Sequence, residues 1–245
     1  MNFGGLTAVS ELDFTMAPDD LLGLIGPNGA GKTTVFNMIT GIHRPTAGEI
    51  FFDGVGIAGM RTDLVARKGI ARTFQNIRLF PSLTVYETVQ AAFNKHVQYG
   101  FVRAITRAGA FSDNEATIRN RIMELLEFFD LTAVAKEMAV ALPYGMQRKV
   151  ELLRALATGP KLLLLDEPAA GMNPSEKVAL MNLIRMVKEH FDVAILLIEH
   201  DMKVVMGICE RLVVLDYGIK IAEGEPRQIQ LDPKVIEAYL GETVV

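Results

Sequence analysis

Apolar and polar positions along the chain alternate between two periods. Short apolar runs at Leu21–Ile25, Leu162–Leu165 and Val193–Ile198 are too short for helices and end at glycine or charged residues, so they predict buried strands. Glu49–Asp53 and Gly69–Phe74 read as further strands, and Leu212–Leu215 with Ile219–Ala222 as a hairpin turning at Tyr217-Gly218. Between them the period lengthens. A helix is predicted from Lys32 to Thr40 with Gly41 as its stop. Another starts at Asn173, with Pro174 in the first helical position and Glu176 two residues further on. Its apolar side is read as Val178, Met181, Ile184 and Val187, and Asp232-Pro233 opens a short final helix.

From about Ser82 to Thr158 the pattern is mainly helical. Ser112 and Glu115 fit a capping box ahead of an apolar stripe at Ile118, Ile122, Leu125, Leu126 and Phe129. Asn94–Phe111 is less patterned and reads as a long surface loop or irregular helix. After Pro160 strand and helix alternate again. The expectation is an α/β fold, a P-loop core (about 1–78 and 160–245) with a mainly parallel sheet and a small antiparallel part, interrupted by an inserted helical subdomain at about 79–159.

Composition narrows the classes. The 245 residues suffice for a sizeable core, and no apolar stretch approaches the roughly 20 residues of a spanning helix. Met1–Gly5 lacks the basic and apolar regions of a signal peptide. A chain that is cytoplasmic, or attached to a membrane through a partner, is expected. Lys and Arg total 25 against 29 Asp and Glu, a net charge of -4 that gives no electrostatic case for nucleic acid. The single cysteine, Cys209, sits in an apolar stretch and reads as a small core residue.

The chemistry lies at the strand ends. Gly26-Pro27-Asn28-Gly29-Ala30-Gly31-Lys32-Thr33 fits G-x-x-x-x-G-K-[ST] between a strand and a helix, the context this phosphate-binding loop requires. Glycines let backbone N–H groups turn inward around phosphate oxygens, and the helix adds its positive end. Lys32 supplies a cation to the β and γ phosphates, and the Thr33 hydroxyl is placed to ligate Mg²⁺. Leu162–Leu165 ends in Asp166-Glu167 at the edge where open α/β sheets bind ligands. Asp166 is expected to hold Mg²⁺ through water, and Glu167 to orient and deprotonate the attacking water. His200 follows the Ala194–Ile198 run, where it can reach a γ-phosphate. Gln75 ends the Gly69–Phe74 strand at the hinge to the helical segment, where its amide can ligate Mg²⁺ or hold the attacking water.

Together these residues resemble the ABC ATPase family over essentially the whole chain. Gly26–Thr34 are similar to its Walker A loop, with Thr34 at the end, Gln75 to the Q-loop glutamine, and Leu162–Asp166 to Walker B followed by the catalytic glutamate. Ala169–Pro174 resemble the D-loop and His200 the switch histidine. Phe3 stands where the family has an aromatic that stacks on adenine. The usual Leu-Ser-Gly-Gly-Gln signature corresponds to Leu142-Pro143-Tyr144-Gly145-Met146-Gln147, with proline for serine; Tyr144 and Gly145 would face a γ-phosphate across a dimer interface. The strand that usually precedes the adenine-stacking aromatic is expected to be missing or truncated here, since the chain starts at Met1.

The runs Arg72–Phe80, Glu167–Pro174, Ile198–Met202 and Ala238–Glu242 resemble the branched-chain amino acid transporter subfamily. The resemblance implies an ATP- and Mg²⁺-dependent hydrolase at the cytoplasmic face of the inner membrane. Its implied partners are a second ABC ATPase subunit, identical or not, two transmembrane permease subunits and, indirectly, a substrate-binding protein. A lipid or lipopolysaccharide exporter ATPase shares most of these motifs. A soluble ABC ATPase acting on nucleic acid is the third reading, disfavoured by the acidic balance and the single nucleotide-binding core.

Overall fold

A computed structural model of the chain describes residues 1–93 and 110–240. The chain forms two compact units: one runs up to Gln75 and resumes at Lys161, the other spans Asn76 to Pro160.

The first unit is built on a six-stranded sheet. Its members are β3 (Leu21–Ile25), β6 (Ile70–Arg72), β7 (Leu162–Asp166), β8 (Ala194–Ile198), β9 (Arg211–Asp216) and β10 (Ile219–Gly224). The spatial order is β10-β9-β3-β8-β7-β6, parallel throughout except for the β9–β10 hairpin at one edge. Every residue of β3, β7 and β8 is buried, which explains why these strands read as unbroken apolar runs rather than alternating ones. Each fully buried leucine contributes about 2 kcal/mol of gross transfer free energy. The hairpin turns at Tyr217 (φ 43) and Gly218 (φ 80), the paired left-handed residues of a two-residue turn matched to strand twist.

Helix α1 (Lys32–Ile39) follows β3 and buries Val35, Phe36, Met38 and Ile39 against the sheet side chains Leu22, Leu24, Leu164, Leu196 and Val213. Two short antiparallel ladders precede and follow it: β1 (Asn2–Phe3) with β2 (Leu6–Thr7), and β4 (Phe51–Phe52) with β5 (Val55–Gly56). The expected Glu49–Asp53 strand is thus trimmed to its two phenylalanines, because Asp53 (φ 51) and Gly54 (φ 72) already turn the chain. Phe3 ends the two-residue strand β1.

Helix α2 (Thr62–Lys68) leads into β6. On the far side of β7, α6 (Pro174–Phe191) starts as the sequence predicts. The Asn173 side chain accepts from Glu176 N, and the Glu176 carboxylate accepts from Asn173 N. Ile184 and Val187 of the expected series are buried, Leu180 and Leu183 complete the stripe, and Met181 is half-buried while Val178 is exposed. Steps of three residues fall short of a full helical turn, so the series leaves the buried face toward its N-terminal end. Helices α7 (Met202–Ile208), α8 (Pro226–Leu231) and α9 (Pro233–Leu240) complete this unit, and Cys209 is buried at the end of α7.

The second unit is helical. Helices α3 (Val85–Phe93), α4 (Ala110–Phe128) and α5 (Tyr144–Leu156) pack through Val85, Val89, Ile122, Leu126, Phe129, Val150 and Leu153. Of the expected α4 stripe, Ile118 is half-buried and the other four residues are buried. Helix α4 already includes Ala110, so Ser112 lies inside it and is not its cap. Most of the Asn94–Phe111 segment lies outside the described residues.

Candidate active site

Because β3, β6, β7 and β8 run parallel, their carboxyl ends share one edge of the sheet, and each carries one predicted functional segment. At the end of β3 the chain turns through Gly26 to Gly31. A side chain at Gly26 would sit 2.0 Å from the Leu215 carbonyl oxygen, and one at Gly31 (φ 99) would sit 2.5 Å from that of Ala8. Both positions therefore require glycine. Gly29 faces open space, leaving its backbone free for a ligand to approach. The loop is braced from outside, since Gly218 N donates to Ala30 O at 3.1 Å and Ser10 N to Gly218 O at 2.8 Å. Pro27 is half-buried, Asn28 exposed and Ala30 buried.

Lys32 opens α1 and donates to the loop's own carbonyls, Gly26 O at 2.6 Å and Pro27 O at 2.8 Å. Burial pulls its ammonium below the ordinary lysine value, and the negative charges of Glu167 and Asp166 oppose that shift. Thr33 is exposed and Thr34 half-buried beside it. No side chain caps α1, so its first N–H groups are available to an anion.

Two strands away, β7 ends in Asp166, buried and paired with Arg72 of β6 at 2.7 Å. Glu167 follows with φ 46, a left-handed conformation costly for a residue with a Cβ and characteristic of functional turns. Its N–H is bound to Ile198 O at 2.9 Å. One carboxylate oxygen, Oε2, accepts from Gln75 Nε2 at 2.8 Å and lies 3.4 Å from His200 Nδ1. Gln75, Glu167 and His200 thus form one cluster from the ends of three adjacent strands. Gln75 and His200 are exposed, so the cluster opens to solvent.

Three residues that the sequence reading did not single out support this edge. Arg72 and Asn37 brace Asp166, with Arg72 Nη1 donating to Asn37 Oδ1 at 2.8 Å. The third, Glu199, is fully buried and accepts from Ala169 N at 2.8 Å, His200 N at 3.1 Å and Asp201 N at 3.4 Å. It ties the segment after Glu167 to the loop that carries His200. Burial raises its pKa, against those N–H groups. The usable signal was a charged residue inside or abutting an otherwise buried strand, which demands a partner.

Phe3, 42% exposed, meets the His43 ring edge to face at 5.2 Å and keeps its outer side in solvent. Tyr144 and Gly145 form the first turn of α5 in the second unit. Tyr144 is exposed, and its hydroxyl accepts from Arg148 Nη2 at 3.1 Å.

Among the described residues no three His, Cys, Asp or Glu side chains group to hold a metal ion. A site supplied by a hydroxyl, one carboxylate and ligand phosphates needs no such group, and Thr33 with Asp166 fits that donor set. Among the described residues no helix is long and apolar enough to cross a membrane.

Comparison with known proteins agrees with this architecture. Residues 9–170 match the family described as ABC transporter, and residues 220–245 match the family described as branched-chain amino acid ATP-binding cassette transporter. The chain is 44% identical over 242 residues to the high-affinity branched-chain amino acid transport ATP-binding protein BraF of Pseudomonas aeruginosa, covering 99% of this chain and 95% of that protein. It is 43% identical, with the same coverage, to LivG of Escherichia coli K12, which carries the same description. The lipopolysaccharide export ATP-binding protein LptB of Escherichia coli K12 is 33% identical over 98% of this chain and 93% of its own. Among solved structures, the ADP conformation of MJ1267, an ATP-binding cassette of an ABC transporter, superposes with a TM-score of 0.84 at 30% identity, covering 99% of this chain and 96% of that one.

Proposed function

Since the chain belongs to the ABC transporter ATP-binding family, we propose that it binds and hydrolyses ATP to energise uptake of branched-chain amino acids through separate permease subunits. The observation that carries this reading is the shared sheet edge. Lys32 of the phosphate loop lies close enough to Asp166 and Glu167 for both carboxylates to act on its charge.

In this mechanism the Gly26–Gly31 turn cradles the nucleotide phosphates with backbone N–H groups, and Lys32 and the start of α1 add positive potential. Phe3 offers its exposed face to adenine. Glu167 orients water for attack on the γ-phosphate and takes up its proton. Gln75 and His200, both against the same Glu167 oxygen, fix that carboxylate and stand beside the charge that develops. Thr33 and Asp166, with Gln75 as a further oxygen donor, are the residues that would hold Mg²⁺. When bound, that ion neutralises charge on the β and γ phosphates.

Hydrolysis in this reading needs a second ATPase subunit, with Tyr144, Gly145 and the first N–H groups of α5 meeting the nucleotide held by the partner. The stretch about Asn76–Phe80, in which Asn76, Arg78 and Phe80 are exposed, is suited to a permease, and such contact would hold the protein at the cytoplasmic face of the inner membrane. Uptake is favoured over lipopolysaccharide export by 44% identity against 33%, and by the separate match of residues 220–245.

Glu167→Gln tests the centre of the mechanism. ATP binding should persist while turnover falls by about 10²–10⁴-fold, and near-normal hydrolysis would remove Glu167 from the base role. Co-purification with the permease subunits, followed by ATPase assays in liposomes, tests the cargo. Stimulation by leucine, isoleucine or valine supports uptake, and stimulation by lipopolysaccharide alone overturns it.

A further inference from the structure

Arg72 is held more firmly than a structural ion pair requires. It sits on β6, next to β7 in the sheet, with its side chain 7% exposed. Its guanidinium lies over two phenyl rings, 5.4 Å from the Phe36 centroid and 5.2 Å from that of Phe74. One terminal nitrogen, Nη1, is spent on Asn37 Oδ1 at 2.8 Å, and Phe36 and Asn37 both belong to α1, the helix that Lys32 and Thr33 begin. The other, Nη2, reaches Asp166 Oδ2 at 2.7 Å. Nε is buried and finds no partner among the described residues, so the side chain is not placed to satisfy all of its own donors. Its position serves the two contacts at its tip, which join the phosphate-loop helix to the carboxylate at the end of β7.

A carboxylate has two oxygens, and Arg72 takes one. Among the described residues no hydrogen bond is made to the other, Oδ1. The planar guanidinium, held at Nη1 by Asn37, fixes the direction from which Nη2 meets Oδ2 in a way that a point-charge ammonium does not. We propose that Arg72 is a positioning residue for the metal half of the site. By gripping Oδ2 of Asp166 while anchored to α1 through Asn37, it commits Oδ1 to the Mg²⁺ that accompanies ATP and keeps Asp166 in register with Thr33. This rests on the reading of Asp166 as the metal-holding carboxylate. The competing physical effect is subtraction, in which a guanidinium on the same carboxylate weakens its pull on a second cation. The two effects predict opposite signs. The bracketed, doubly tethered guanidinium favours orientation, because a group that merely neutralised Asp166 would need neither the rings nor Asn37.

The experiment is a Mg²⁺ titration of the binding of a fluorescent ATP analogue to the purified full-length chain, with metal-free binding as the internal control. For Arg72→Met, metal-free binding is retained and the Mg²⁺ concentration at half-effect rises about 10–100-fold, the range seen when residues that orient metal ligands are removed. Arg72→Lys gives a smaller shift in the same direction. Asp166→Asn alone gives a shift at least as large as Arg72→Met, and adding Arg72→Met to it gives no further change, since Arg72 acts through Asp166. An unchanged or lowered Mg²⁺ requirement in Arg72→Met, with Asp166→Asn shifted, overturns the role of Arg72 while sparing that of Asp166. An unshifted Asp166→Asn overturns the metal reading itself. Should Arg72→Met not fold, Asn37→Ala, which keeps the ion pair and removes one tether, is expected to raise the requirement, and no shift there overturns the inference.

Discussion

Helices α1 and α5, one in each unit, begin in opposite ways and arrive at the same condition. Helix α1 is entered through Gly31 in the left-handed region, at φ 99, after a turn rich in glycine. Helix α5 is entered through Pro143 with φ -54 and ψ 149, an extended residue whose ring fixes the entry angle. Neither N-cap residue bonds its helix through a side chain, so neither helix has its positive end closed by its own cap. In α5 the turn is secured from the opposite direction. Pro143 O accepts from Met146 N at 2.9 Å and Gln147 N at 3.0 Å, and the Gln147 amide donates to Val140 O at 3.0 Å and Leu142 O at 2.8 Å. Replacing the family's serine by proline therefore removes a hydroxyl without disturbing the helix entrance. Glycine and proline are alike in offering the first turn no side-chain acceptor.

The largest effect should come from breaking the glycine entrance. Gly31→Ala forces a Cβ into the left-handed region and onto the Ala8 carbonyl, a strain of about 2–3 kcal/mol. Isothermal titration should find ATP affinity reduced about 30–100-fold. Retained affinity would mean that the loop does not need its observed conformation.

Gly145→Asp probes the proline entrance with a charge instead of strain. A carboxylate in the first turn favours the helix itself by about 0.3–1 kcal/mol, so folding and nucleotide binding by the isolated chain should be unchanged. ATPase activity of the assembled transporter should fall about tenfold or more through repulsion of the partner's γ-phosphate. An unaffected rate would mean that this signature turn is silent.

Pro143→Ser should do least. The gained cap, worth about 1 kcal/mol, is partly offset by a looser unfolded chain, leaving the melting temperature within about 2–4 °C and the ATPase rate within about twofold. A tenfold gain in rate would show that the missing hydroxyl matters after all.

The sequence revealed the parts of this site whose chemistry is local. Gly26–Thr33 and Asp166-Glu167 are recognisable because spacing alone sets backbone shape and strand termination. The Asn173-Pro174-Glu176 helix start was legible for the same reason, since the cap closes within three residues. What stayed hidden was contact between distant segments. Nothing in the spacing of Arg72 and Asp166 says that they pair, because that depends on β6 and β7 being neighbours. The left-handed backbone of Glu167 was equally hidden, since its nearest fixed partner is Ile198 O on another strand. The α6 stripe was misjudged at Val178 because a helix exposes one side to solvent, and an apolar residue can lie on it at little cost.

The bracing of the phosphate loop also bears on the order in which the protein is made. Strand β3 emerges from the ribosome early, yet its two neighbours in the sheet, β8 and β9, are translated more than a hundred residues later. The loop's outer support waits longer still, for Leu215 and Gly218. A nascent chain shorter than this carries the whole phosphate-binding motif but not the frame that shapes it, so nucleotide can assist folding only once Gly218 has been made.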